Sequence, residues 1–121
     1  MEMKTVTTQD EMNEATKVGY AVKVETGEFI ARGEAVVYAH GDATVYARGE
    51  ATVYAYSNAR VYAYDRATVY AYDKATVRSC DKATVHAYDN TTVYACNKVT
   101  VHAYDASRVN AYDDATVVDH R

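Results

Sequence analysis

From residue 43 to the last residue the chain repeats every eight residues with no insertion: ATVYARGE, ATVYAYSN, ARVYAYDR, ATVYAYDK, ATVRSCDK, ATVHAYDN, TTVYACNK, VTVHAYDA, SRVNAYDD, ATVVDHR. One octad earlier, residues 35–42 (AVVYAHGD) are in register, and residues 27–34 (GEFIARGE) are a degenerate copy. An unbroken period means that each octad is one structural unit stacked on others. Within the octad polarity alternates. The third position is Val in all ten copies, and the fifth is Ala in eight of ten, Ser79 and Asp119 being the exceptions. The first is mostly Ala. The second, fourth and sixth carry Thr or Arg, then Tyr, His, Arg or Asn, then Tyr or Cys. Period two is a strand with one buried face, so the small positions point inward and the large ones outward.

The seventh position is Asp, Asn, Ser or Gly and the eighth is mostly charged or amide-bearing. Asp and Asn bond their own backbone in Asx turns, and Gly tolerates positive φ, so these two positions predict a corner. A short strand and a tight corner, repeated without loops, make an all-β parallel β-solenoid. Two strands per coil give a 16-residue coil and three give 24. Like residues stack on like. Cys80 and Cys96 are 16 apart, as are His86 and His102, which favours the two-sided coil; a three-sided coil or an intertwined trimer is the alternative.

Composition agrees with a thin interior. The chain has 21 Ala, 18 Val, 14 Thr and 13 Tyr, but no Leu, Pro or Trp, one Ile and one Phe. A conventional layered core leans on those missing residues. The first 26 residues differ from the repeat and predict a small cap, with residues 27–121 as the solenoid. Thr8 followed by Glu11 matches a capping box, Met12, Ala15 and Thr16 share one side of a short helix, and Gly19 can end it. Residues 20–25 (YAVKVE) alternate as a strand. At the other end Asp113, Asp114, Asp119, His120 and Arg121 place charge on an uncapped coil, either to prevent pairing or as a dimer contact. No apolar run reaches the roughly 18 residues of a membrane span, and the polar start is unlike a secretory signal, so a cytoplasmic protein with no membrane contact is expected.

A two-sided coil has two unlike faces. One carries Thr52, Tyr54 and Tyr56, then Thr68, Tyr70 and Tyr72, then Thr84, His86 and Tyr88, then Thr100, His102 and Tyr104. The other, with Arg48, Arg60, Arg78, Cys80, Cys96 and Arg108, is irregular and more basic. Stacked aromatics stabilise neighbouring rungs. A flat tyrosine surface also supplies contact area at low entropic cost, which makes those twelve residues the candidate binding face.

Charge and motifs narrow the functions. Residues 1–34 carry net −3 and residues 35–121 net −1, so nucleic acid is a disfavoured partner. Arg66, Lys74, Lys82 and Lys98 beside the Asp column are expected to relieve repulsion between stacked carboxylates. Calcium solenoids use glycine-rich nonapeptides, which this repeat lacks, and two histidines are an incomplete zinc site. There is no phosphate-binding glycine loop and no catalytic Ser-His-Asp or Cys-His grouping. The expectation is therefore a non-enzyme with no cofactor, no metal and no small-molecule substrate. In the expected compartment Cys80 and Cys96, on adjacent rungs, would be free thiols.

The run ATVYAYDKATV resembles the octapeptide-repeat β-solenoid proteins of bacteria and phages, over residues 35–121. That resemblance implies a mobile-element setting and a partner-binding role: a rigid protein that binds and inhibits a macromolecular, chiefly protein, partner through a flat face, an anti-CRISPR-like inhibitor being one form. The alternatives are a self-assembling module that dimerises through its C-terminal coil, and an ice- or carbohydrate-binding solenoid. Ice-nucleation repeats are similar in architecture but carry Thr-x-Thr where this chain has one Thr column beside Tyr.

Overall fold

A computed structural model describes residues 3–121. Among them are one helix, α1 (Gln9–Lys17), and the strands β1 (Met3–Thr5), β2 (Ala21–Val24), β3 (Glu28–Ala31) and β4 (Val36–Ala39). One strand per octad follows: β5 (Thr44–Ala47), β6 (Thr52–Ala55), β7 (Arg60–Ala63), β8 (Thr68–Ala71), β9 (Thr76–Ser79), β10 (Thr84–Ala87), β11 (Thr92–Ala95), β12 (Thr100–Ala103), β13 (Arg108–Ala111) and β14 (Thr116–Asp119). Consecutive octads alternate between two parallel sheets. The order is β1-β2-β4-β6-β8-β10-β12-β14 in one and β3-β5-β7-β9-β11-β13 in the other. Thr52 pairs with Thr68 and Tyr54 with Tyr70, a step of 16. The molecule is a two-sided β-solenoid, and the three-sided coil is excluded.

The inside follows from the alternation. Val53, Val69 and Val85 at the third position and Ala55, Ala71 and Ala87 at the fifth have no accessible surface. Burying one such valine stabilises the fold by about 1.5 kcal/mol or more. Ser79 and Thr91, inside where Ala usually sits, give their hydroxyls to the Tyr94 and Tyr88 carbonyls.

Most corners are closed by a backbone hydrogen bond from the first position of an octad to the sixth of the one before: Ala59 to Tyr56 at 3.1 Å, and Ala67 to Tyr64 at 3.1 Å. At every corner from Gly33 to Asp113 the seventh position has positive φ, even where it is not glycine: Ser57 at 56°, Asp65 at 57° and Asp73 at 58°. The eighth-position N–H continues the ladder to the rung below, Lys74 to the Ser57 carbonyl at 3.0 Å. That leaves the seventh-position N–H without a backbone acceptor. The aspartate one coil further on supplies it: Asp73 Oδ2 accepts from Ser57 N–H at 2.9 Å, and Asp81 Oδ2 from Asp65 N–H at 3.0 Å. This corrects one sequence expectation. The carboxylates bond a rung 16 residues away rather than their own turn. Among the described residues, the ion pairs within 4 Å are Lys23 with Glu25 and Arg121 with Asp119, so Arg66, Lys74, Lys82 and Lys98 do not pair with the Asp column.

The N-terminal segment is tied into the stack. β2 pairs with β4 at a step of 15 rather than 16, and β1, which no repeat marks, adds a further rung on β2. The capping box at Thr8 and Glu11 is present. Gly19, at φ 93°, ends α1 with paired bonds: its N–H to the Thr16 carbonyl and the Tyr20 N–H to the Ala15 carbonyl. Met12 and Ala15 are buried against the first coil. Gln9 also clamps the edge of β3, accepting from Ile30 N–H at 2.7 Å and donating to the Ile30 carbonyl at 2.9 Å. An edge strand's unpaired groups invite foreign strands, and here a helix residue occupies them. The last coil is different: Val117, on the inward column, is 37% exposed.

Candidate interaction surface

The twelve residues singled out from the sequence lie together on the outer face of the eight-stranded sheet. In-register pairing places Thr84 between Thr68 and Thr100, and His86 between Tyr70 and His102. The result is a threonine column beside two columns of rings. In the first, Tyr54 stacks on Tyr70 at 5.0 Å between ring centres, Tyr70 on His86 at 4.7 Å and His86 on His102 at 4.9 Å. In the second, Tyr56, Tyr72, Tyr88 and Tyr104 follow one another at 4.7–5.0 Å. Their planes are within 12° of parallel. The strand ladder alone produces this, because rungs about 4.8 Å apart hold identical side chains in one rotamer at stacking distance.

Three rings that the candidate set omits extend the face. Tyr38 stacks on Tyr54 at 4.7 Å, His40 on Tyr56 at 4.7 Å and His120 on Tyr104 at 4.4 Å. Their signal was in the sequence: Tyr38 and His40 stand 16 residues before Tyr54 and Tyr56, and His120 stands 16 after Tyr104.

All twelve candidate residues are half-buried, each showing its outer part to solvent. None carries a formal charge with histidine neutral. Packing within the columns disfavours ionisation. Burial, then neighbouring phenols, raises the Tyr54, Tyr56, Tyr72 and Tyr88 hydroxyls above their usual range. Burial, then His102 and His120, lowers His86 below its ordinary value. The strip is thus aromatic and holds no Asp, Glu, Lys or Arg.

The opposite face is charged. Arg32, Arg48, Arg60, Arg78 and Arg108 are exposed on it, with Glu28 as the acid on its strands. Arg48 lies over the Tyr64 ring at 4.8 Å and Arg78 over Tyr94 at 5.2 Å, so cation–π contacts partly replace ring stacking there. The sequence marked this face as the more basic one but took no residue from it into the candidate set. Asp65, Arg66, Asp81, Lys82, Asn97 and Lys98 line an open groove of about 920 Å³ along one corner. Asp65 and Asp81 there already accept backbone N–H groups of the coil before.

Among the described residues, no group of three or more His, Cys, Asp or Glu side chains is placed to hold a metal ion. Among the described residues, no helix is long and apolar enough to cross a membrane. No family model, no curated protein and no solved structure matches this chain.

Proposed function

We propose that this protein is a rigid, non-enzymatic interaction module that binds a protein partner through the aromatic face of its eight-stranded sheet. The observation that supports it is the pair of ring columns from Tyr38 to His102 and from His40 to His120, flat, without Asp, Glu, Lys or Arg, and half-exposed over the length of the solenoid. Tyrosine offers large, stiff, amphipathic area, and these rings are ordered before any partner arrives, so binding would lose little side-chain entropy. The resemblance to the octapeptide-repeat solenoids adds the setting: a phage or mobile element, acting inside a bacterial cell, with the partner a host complex that it inhibits in the anti-CRISPR manner.

The test uses the full chain as bait in bacterial lysate, beside Tyr56→Lys/Tyr72→Lys/Tyr88→Lys and a control, Tyr62→Lys, on the other face. A partner that the wild type and the control retain, and that the triple variant loses with its circular dichroism intact, supports the reading. Retention by the triple variant refutes it.

One observation favours a second reading, self-assembly. In the last coil Val117, Val118 and Tyr112 are 37%, 36% and 55% exposed. Antiparallel pairing of β14 with β14 of a second copy would cover that end. Light scattering that finds a monomer at high concentration removes it.

A further inference from the structure

The basic face holds a feature that partner binding does not use. The sixth-position column there reads Arg48, Tyr64, Cys80, Cys96, Tyr112. At two successive coils the large ring gives way to a thiol. The gap forms a shallow notch, walled by Tyr64 and Tyr112 with Arg78 and Tyr94 beside them, and both sulfurs line it. Both cysteines are free and half-exposed. Their sulfurs are 2.9 Å apart. The ladder fixes this: Cys96 N–H donates to the Ser79 carbonyl at 3.0 Å and Cys80 N–H to the Ala63 carbonyl at 2.9 Å. Both residues therefore sit in register, one rung apart.

From this geometry we propose that Cys80 and Cys96 form a reversible dithiol–disulfide site, whose oxidation by a hydroperoxide staples two consecutive coils. The rung spacing of about 4.8 Å lies inside the Cα separation of about 4.4–6.8 Å that a disulfide accepts. The bonded sulfur distance is about 2.0 Å, so closure needs a movement of about 1 Å from the separation present. With Cys96 attacking first, its thiolate displaces RO⁻ from the terminal oxygen of ROOH: the O–O bond breaks, Cys96 becomes a sulfenic acid, and RO⁻ takes up the proton that Cys96 gave up and leaves as ROH. The Cys80 sulfur then attacks the Cys96 sulfur. The S–O bond breaks, the S–S bond forms, and the Cys80 proton leaves with the hydroxyl as water. In sum, two thiols and one hydroperoxide ROOH give a disulfide, water and ROH. The hydrogen bond with Cys96, then burial, pushes the Cys80 thiol up to about 11 in the reduced pair. An orphan reactive thiol would move up the oxidation ladder instead, so a second thiol in contact is what makes the site reversible. The bond closes a loop of 15 intervening residues, 81–95, around one full coil.

The experiment treats the reduced full-length chain with hydrogen peroxide, then counts thiols and measures the intact mass, beside Cys80→Ser, Cys96→Ser and the double variant. The expected result is joint loss of both thiols, a mass lower by two hydrogens, a monomer on a non-reducing gel, and full recovery with dithiothreitol. Peptide mapping should join the two cysteines. Either single variant should trap a sulfenic acid at the cysteine that remains. Amide exchange in β9 and β11 should slow in the oxidised wild type by up to about a hundredfold, the scale of closing a loop of that length, and should not respond to peroxide in the double variant. Three results would overturn the proposal: sulfinic acid in place of the disulfide, a disulfide formed only between chains, or two thiols that survive an excess of peroxide that oxidises the chain unfolded in guanidinium. A disulfide that forms without slowing exchange overturns the staple.

Discussion

Replacing Asp73 by alanine removes two stabilising factors together, and the structure allows them to be separated. The Asp73 carboxylate accepts from Ser57 N–H at 2.9 Å. That N–H has no backbone acceptor, and the site is exposed, so the bond contributes about 1 kcal/mol. Asp73 also sits at φ 58°, where alanine costs about 1 kcal/mol more than aspartate, whose short polar side chain tolerates the region. Asp73→Ala should therefore destabilise the protein by about 2 kcal/mol and lower Tm by about 8 °C. Asp73→Gly loses the bond, about 1 kcal/mol, and adds unfolded-chain entropy of about 0.5–1 kcal/mol, which relief of the aspartate's own positive-φ strain, about 0.5–1 kcal/mol, offsets, for a net loss near 1 kcal/mol. Asp73→Asn keeps an acceptor and the positive-φ tolerance, and should lose less than about 0.5 kcal/mol. Urea unfolding gives the ranking. Amide exchange at Ser57 gives the local readout, faster in the Ala and Gly variants than in the Asn variant. An Ala variant as stable as wild type would show that the aspartate ladder holds nothing. Equal losses for Ala and Gly would show that backbone conformation does not decide the corner residue.

Three further outcomes follow from the same structure. Val85 has no accessible surface while Thr84 beside it is half-exposed, so Val85→Asp should cost more than about 4 kcal/mol and Thr84→Lys less than about 0.5 kcal/mol in chemical denaturation; equal effects would invert the faces. At Gly41 an added Cβ would meet the Glu25 carbonyl oxygen, whereas at Gly33, also at positive φ, it would meet open space. Gly33→Ala should thus cost about 1 kcal/mol and Gly41→Ala distinctly more, and equal Tm losses would refute the close approach. His86 is held below its ordinary 6.5, so the unfolded chain takes up this proton first as pH falls. Stability contributed here is complete above about pH 6.5, declines as pH drops from there to the lowered folded value, and is level below it. Thermal melts across pH 7.5 to 5 should show that slope in wild type and a shallower one in His86→Asn; identical slopes would remove His86 as its source.

Much of the architecture was legible because each octad repeats one solution. Val at every third position and Ala at most fifth positions marked the inner face, and the pairs Cys80–Cys96 and His86–His102 measured the coil. The capping box at Thr8 was readable because it is a local motif. β1 was not readable: Met3, Lys4 and Thr5 show no alternation of burial and form a strand only because β2 offers an edge. The purpose of the Asp column was also hidden. A rule about turns looks for a partner within a few residues, and the Asp73 carboxylate finds its donor 16 residues upstream.

The sequence by itself determined the strand period, the inward and outward faces and the corner positions, because those depend on contacts within one octad and on identical neighbours. Only the tertiary structure decided what stacking creates from unlike parts. It brought the Gln9 amide onto the β3 edge, set the 15-residue step between β2 and β4, and laid the Gly41 backbone against the Glu25 carbonyl. Each of these pairs residues more than a turn apart in the chain, and their separation is fixed by the ladder of coils rather than by anything local.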